Sequence, residues 1–288
     1  SHVVDKHSVL RDVFGFSRFR DGQEEIVDAL LAGTSVLAVM PTGAGKSLCF
    51  QVPALAKDGL TIVVSPLVAL MEDQVAALKL AGVAAEAVHS SNDREQNVAI
   101  WHRVAGGETR ILYMAPERLM NERMLSALSR LPLALIAVDE AHCMSQWGPS
   151  FRPEYAALSR LGGMFPNVPI AAMTATADVA TRRDIELQLF TGPFETFVSG
   201  FDRPNITLNV SAKSGWKNQV LDYVSERRGE CGIVYCLSRK KTEEIAFYRD
   251  ALGGLENLVI FPNMPGDPYA KTAEQLTRFA EEVIPKLT

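Results

Sequence analysis

Short apolar runs alternate with longer amphipathic stretches along most of this chain. The runs SVLAVM (35–40), LTIVVS (60–65), RILYM (110–114), LALIAV (133–138) and PIAAMT (169–174) are apolar enough to be buried on both faces. Between them lie helical patterns. PLVALMEDQVAALKLAG (66–82), for instance, sets Leu67, Leu70, Met71, Gln74 and Leu78 at helical spacing. Strands without a polar face, separated by helices, imply a parallel sheet covered by helices on both sides, an α/β fold.

GFDRPN (200–205) interrupts the pattern with Gly, Pro and Asn and reads as a hinge between two domains. The alternation resumes with ITLNVS, a helix from about Lys217, the run CGIVYC and a helix from about Ser238. At 288 residues and 47% hydrophobic content, the chain is large enough for two cores. No apolar stretch reaches the ~18 residues of a spanning helix, and the first residues lack the apolar core of a signal peptide, so a cytoplasmic protein with no membrane partner is expected. Cys49, Cys143, Cys231 and Cys236 form no CxxC pair. Cys231 and Cys236 should point to opposite faces of a strand, so buried free thiols are expected rather than a zinc site. The net charge of −5 disfavours a surface that is basic throughout, but a local basic groove needs only a few Lys or Arg.

The first apolar run leads into VMPTGAGKSLCFQ (39–51), which opens a helix. Around Thr42 and Ala44, Gly43 and Gly45 let backbone N–H groups approach phosphate oxygens, and the helix N-terminus adds positive potential. Lys46 reaches the β and γ phosphates, and the Ser47 hydroxyl is placed for Mg²⁺. Met40 stands where the strict P-loop pattern has its first Gly. Asp139 and Glu140 end a later apolar run and are followed by His142. In P-loop enzymes a strand-end acid binds Mg²⁺, so Asp139 takes that role. Glu140 is positioned to activate a water, and His142 to sense the γ-phosphate.

MPTGAGKS together with DEAH resembles the superfamily-two helicases, and DEAHCMSQWGPSFRPEY (139–155) resembles the RecQ family of DNA helicases more specifically. FGFSRFRDGQEEIV, VVSPLVALMEDQV, ILYMAPERL, MTATAD and FDRPNI extend the resemblance over roughly residues 8–246. It implies an ATP-dependent DNA helicase that uses ATP and Mg²⁺ and acts on single-stranded or forked DNA in recombination and repair. The implied fold is a RecA-like P-loop domain followed by a second one. Gln23 would pair with the adenine edge. Phe16 and Arg20 would stack on the base, although Phe16 also suits a core position. Thr174 and Thr176 would link hydrolysis to domain movement, and Ser65 and APERL would meet the DNA backbone. Trp147, Phe151 and Arg152 offer aromatic faces and a guanidinium for single-stranded DNA, and the loop would report DNA occupancy to the acids. Trp147 and Tyr155 also suit core anchors. Pro149 and Ser150 depart from the His-Asp often seen in the family.

After about Ala246 the resemblance ends. The tyrosine-histidine-alanine-glycine segment, the Gly-Met-Gly-Ile-Asp turn and the QxxGRxGR helix of the family's second domain do not occur in this sequence. After Lys241 only Arg249 and Arg278 remain, neither in a GRxGR setting. Residues 1–200 are therefore expected to form the first RecA-like domain, 201–246 an incomplete start of the second, and 247–288 a segment of other origin. That last segment is similar to the C-terminal end of luciferase-like flavin-dependent monooxygenases, with no barrel before it and so no flavin expected. Its sequence reads as strand, Pro-Gly loop and a helix with Leu276, Phe279, Ala280 and Val283 inward. A chain with one intact lobe is expected not to unwind DNA alone. The alternative is a remnant that binds ATP and DNA.

Overall fold

The computed structural model describes residues 4–41, 43–175, 178–199, 209, 211–227, 232–236, 240, 244 and 258–262. The chain divides into two compact units, residues 1–205 and 206–288.

The first unit is built on seven strands: β1 (Ser35–Val39), β2 (Leu60–Val64), β3 (Ala85–Val88), β4 (Ile111–Met114), β5 (Leu133–Val138), β6 (Ile170–Thr174) and β7 (Phe194–Val198). They pair in parallel, in the order β3-β4-β2-β5-β6-β1-β7. The five expected runs are all strands, and β2 and β6 are buried at every position, as a sheet covered on both faces requires. Side-chain alternation sends Leu37, Val39, Ile62, Val64 and Ile136 to one face and Val36, Ala38, Val63, Leu135 and Ala137 to the other, each face packing into its own helix-covered core.

All seven strands point the same way, so β1, β2, β5 and β6 end along one edge. The register sets Val39 beside Thr174, and Ala172 beside Val138. The end of β6 therefore stands between the loop after β1 and the acids after β5. Ligands of open α/β sheets bind at this carboxyl edge, where the strand order changes direction.

The helix expected over 66–82 runs Val68–Leu80 and buries Met71, Val75 and Leu78. Leu70 faces solvent instead, and Leu67 is the N-cap residue. Cys49 and Cys143 are free and buried, and burial raises their thiols to about 12 and about 11. The helix expected from about Lys217 is Trp216–Ser225, and CGIVYC contains β8 (Gly232–Cys236). The hinge, most of ITLNVS, the cysteine pair's opposed side chains and most of the helix from Ser238 lie outside the described residues, as does the helix of the last segment. In the second unit, β8 pairs in parallel with β9 (Leu258–Pro262), from Gly232 beside Leu258 to Cys236 beside Pro262. Part of the segment set apart at residue 247 thus lies within a sheet of that unit. Among the described residues no helix is long and apolar enough to cross a membrane.

Candidate nucleotide-binding site

Beyond β1 the chain turns through Gly43 (φ 82°) and Gly45 (φ 76°) into the helix Lys46–Ala56. Both angles lie in the left-handed region that glycine enters without strain. No side chain caps this helix, so its first N–H groups face the loop, an arrangement suited to an anion. Lys46 Nζ donates to Met40 O at 3.2 Å, which folds the ammonium back over its own loop. Thr42 lies outside the described residues.

Gln23, the first residue of its helix, and Arg20, just ahead of it, brace this loop. Arg20 Nη1 donates to Gly43 O at 2.9 Å, and Gln23 Nε2 donates to Gly45 O at 3.0 Å. Gln23 Oε1 accepts from Arg20 N at 2.8 Å. A Cβ on Gly45 would meet the Gln23 amide, and its φ already favours glycine. Gln23 is 1% exposed, and an adenine contact requires its amide to exchange these bonds. Phe16 is 45% exposed, which removes the core reading and leaves its ring open to a ligand.

Across the end of β6, Asp139 N donates to Val64 O at 2.9 Å, which holds Asp139 at the end of β5. Its Oδ1 accepts from Glu140 N at 2.9 Å, and its carbonyl accepts from the fully buried Tyr155 hydroxyl at 3.0 Å. Tyr155 is thus a core anchor, as its sequence position suited. Burial raises the Asp139 carboxyl to about 6, the Glu140 charge adds to the rise, and Lys46 and His142 oppose it. Glu140 is the one non-glycine residue with positive φ among the described residues (52°). It turns the chain from β5 into the 3₁₀ turn Ala141–Met144.

His142 sits half-buried between two partners. Its Nε2 lies 3.2 Å from Glu140 Oε2, and its Nδ1 lies 2.8 Å from Thr174 Oγ1. Desolvation holds the imidazole below its usual range, against the pull of Asp139 and with help from Lys46 and Arg152, so the neutral ring dominates at neutral pH. The direction of the Nδ1–Thr174 bond follows the imidazole tautomer. Two residues singled out separately in the sequence, His142 and Thr174, thus form one bonded unit. Thr176 lies outside the described residues.

The loop after His142 divides by exposure. Trp147 is 76% exposed, so it is no core anchor, whereas Phe151 and Arg152 are half-buried. Arg152 N donates to Cys143 O at 2.9 Å, and its guanidinium lies 3.8 Å from Glu154. Ser65 departs from the sequence expectation. It is 3% exposed, its N–H donates to Met114 O at 3.2 Å, and a DNA contact through either group requires the end of β2 to open.

Sequence reasoning missed a polar chain beneath the P-loop: Ser47 bonds Gln74, Gln74 bonds Tyr113 and Tyr113 bonds Gln51. The available signal was Gln74 itself, an amide standing within an apolar helical stripe.

The donor set suits a hard cation. Ser47 supplies a hydroxyl and Asp139 a carboxylate whose burial favours a bound proton or metal over the bare charge. No cluster of three or more His, Cys, Asp or Glu suited to a metal occurs among the described residues. Mg²⁺ takes one or two carboxylates and completes its shell with phosphate and water.

Residues 20–185 match the DEAD/DEAH box helicase family. The chain is 46% identical over 249 residues to the ATP-dependent DNA helicase RecQ of Haemophilus influenzae, covering 85% of this chain and 40% of that protein. It is 37% identical over 262 residues to the ATP-dependent DNA helicase Q1 of Rattus norvegicus, covering 86% of this chain and 42% of that protein. The chain thus spans about two-fifths of the length of these relatives. In fold it is similar to the DUF1998 helicase MrfA bound to DNA, with TM-score 0.63 and 17% identity over 87% of this chain and 39% of that one. It is also similar to a hypothetical ATP-dependent RNA helicase from Sulfolobus tokodaii, with TM-score 0.55 and 16% identity over 94% of this chain and 91% of that one. A glycine-turned loop before a helix, a half-buried strand-end acid and His142 set between Glu140 and Thr174 on one sheet edge accord with these likenesses, and the chain belongs to the DEAD/DEAH box helicase family.

Proposed function

We propose that residues 1–205 form the ATP-hydrolysing motor domain of a RecQ-type DNA helicase, acting on single-stranded or forked DNA. The observation that carries this reading is the convergence of Lys46, Ser47, Asp139 and the Glu140–His142–Thr174 unit at one edge of the sheet. The triphosphate lies over the N–H groups at the start of the Lys46–Ala56 helix, and Lys46 exchanges its bond to Met40 O for a phosphate oxygen. Phe16 and Arg20 flank the base, and Gln23 pairs with the adenine edge once its amide turns from the P-loop. Ser47 and Asp139 would hold Mg²⁺, which when bound neutralises phosphate charge and orients the terminal phosphoryl group. Glu140 takes a proton from the attacking water. His142 fixes the Glu140 carboxylate through Nε2 and passes its orientation to Thr174 through Nδ1.

DNA engages Trp147 by base stacking, while Phe151 and Arg152 join that contact to the site. The backbone bond from Arg152 to Cys143 and the field of Arg152 at His142 support this coupling. The test is calorimetry with Mg-ATP. Lys46→Ala is expected to lower affinity by at least several-fold while far-UV circular dichroism is unchanged, and equal affinity would refute the site.

A further inference from the structure

Four polar side chains run from the P-loop into the apolar interior. Gln74 Nε2 donates to Ser47 Oγ at 3.4 Å, Tyr113 Oη donates to Gln74 Oε1 at 2.7 Å, and Gln51 Nε2 donates to Tyr113 Oη at 3.2 Å. Tyr113 is 1% exposed and Gln51 is 7% exposed. The phenol shares its core with Phe50, Val63, Met71 and Ala137. A buried polar group without a partner is costly, so these residues are tolerated there only because each bond satisfies the next.

The chain of bonds has a direction. Tyr113 has a single hydroxyl proton, and giving it to Gln74 Oε1 leaves its lone pairs for Gln51. The Gln74 amide must then present N–H, not oxygen, to Ser47. Ser47 Oγ receives that proton on one lone pair and keeps the other for a cation. The three elements involved come from distant parts of the chain: the Lys46–Ala56 helix, the Val68–Leu80 helix and β4. Each is anchored in the sheet core, so the hydroxyl is held by the fold rather than by its own loop.

We propose that Gln74 and Tyr113 are positioning residues that orient the Ser47 hydroxyl for the Mg²⁺ of the bound nucleotide. This rests on reading Ser47 and Asp139 as the magnesium ligands. Neither residue touches nucleotide; each acts through Ser47.

The test uses the full chain and a fluorescent N-methylanthraniloyl ATP, with binding followed as Mg²⁺ is titrated and again in EDTA. Gln74→Met keeps the length and helical preference of a half-buried side chain, and Tyr113→Phe removes one hydroxyl. Both are expected to raise the Mg²⁺ concentration for half-maximal binding by about tenfold, a typical loss for a partner that orients a metal ligand. Affinity in EDTA should stay at the wild-type value. A melting temperature that falls with the Mg²⁺ requirement unchanged would make the chain purely structural and overturn the proposal. So would an equal loss of affinity with and without Mg²⁺, because the P-loop as a whole would then be disturbed. If Tyr113→Phe does not fold, Gln74→Met decides alone. Wild-type binding that ignores Mg²⁺ would refute the magnesium site itself, a result distinct from an unaltered variant beside a Mg²⁺-dependent wild type.

Discussion

Asp139 answers to two demands that pull against each other. The proposed role as a metal ligand places it at the end of a sheet strand, yet a carboxylate there loses hydration and sits beside Glu140. Its carboxyl rises from an ordinary 3.8 to about 6 for that reason. A carboxyl raised on folding contributes stability that is fully present below its unfolded value and is lost as pH rises through the folded one. Over this window the loss is about 3 kcal/mol at most, from roughly two pK units at 1.36 kcal/mol each. Asp139→Asn carries no charge to desolvate. In chelator-containing buffer, its melting temperature relative to wild type is expected to climb between pH 4 and pH 7, and a difference that does not vary with pH would show that burial is not the cause. The proposed roles of Lys46, Asp139 and Glu140 are legible in the sequence because each follows from residue type at a fixed place in a motif. The position of Gln23 is not. An amide can pair with adenine or with a backbone carbonyl, and only the folded structure sets its Nε2 against Gly45 O.

At the scale of elements, the turn from β5 into Ala141–Met144 stores strain where the chemistry is expected. Glu140 in the left-handed region costs on the order of 1–2 kcal/mol. The surrounding bonds offset this: Glu140 N to Asp139 Oδ1, the Tyr155 hydroxyl to Asp139 O, and Arg152 N to Cys143 O. The loop is therefore tied at both ends to the acids, with Trp147 free at its outer side. Trp147→Ala is expected to leave ATP affinity and melting temperature unchanged and to reduce stimulation of hydrolysis by single-stranded DNA about tenfold, in line with the ~1–3 kcal/mol of one stacked base. Lost ATP binding in that variant, with the fold intact, would make the loop structural. The strands with long apolar runs are plain in the sequence, but β3 and β7 are not. AEAV (85–88) is four residues long and rich in Ala, and FETFV (194–198) lies at an edge with its side chains largely in solvent. Neither carries the apolar density that burial on two faces imposes on the central strands.

For the whole molecule, stepping along DNA needs states that differ in affinity, and in related NTPases an arginine that reaches the transferring phosphoryl group stabilises its charge. After Lys241 this sequence offers Arg249 and Arg278, neither in the family's arginine setting. The 288-residue chain, assayed as it stands, is expected to leave a fluorescent forked duplex unseparated in the presence of ATP. Strand separation that vanishes in Lys46→Ala would refute this and would assign the missing role to other residues of the chain or to a second copy of it.

Some of this protein is written in local pattern. Apolar runs without a polar face dictate buried parallel strands, and GKS after a strand dictates a phosphate loop, because hydrophobic periodicity and backbone freedom act between near neighbours. Other features exist only once the chain is folded. The order β3-β4-β2-β5-β6-β1-β7 sets β6 between the phosphate loop and the acids, and so brings Thr174 to His142. The bonds from Gln51 to Tyr113 and from Gln74 to Ser47 join residues 62 and 27 positions apart. No pattern along the chain encodes such pairs. A polar side chain at a core position is an anomaly in sequence, because its partners are supplied only when tertiary packing excludes water and brings distant polar groups within bonding distance.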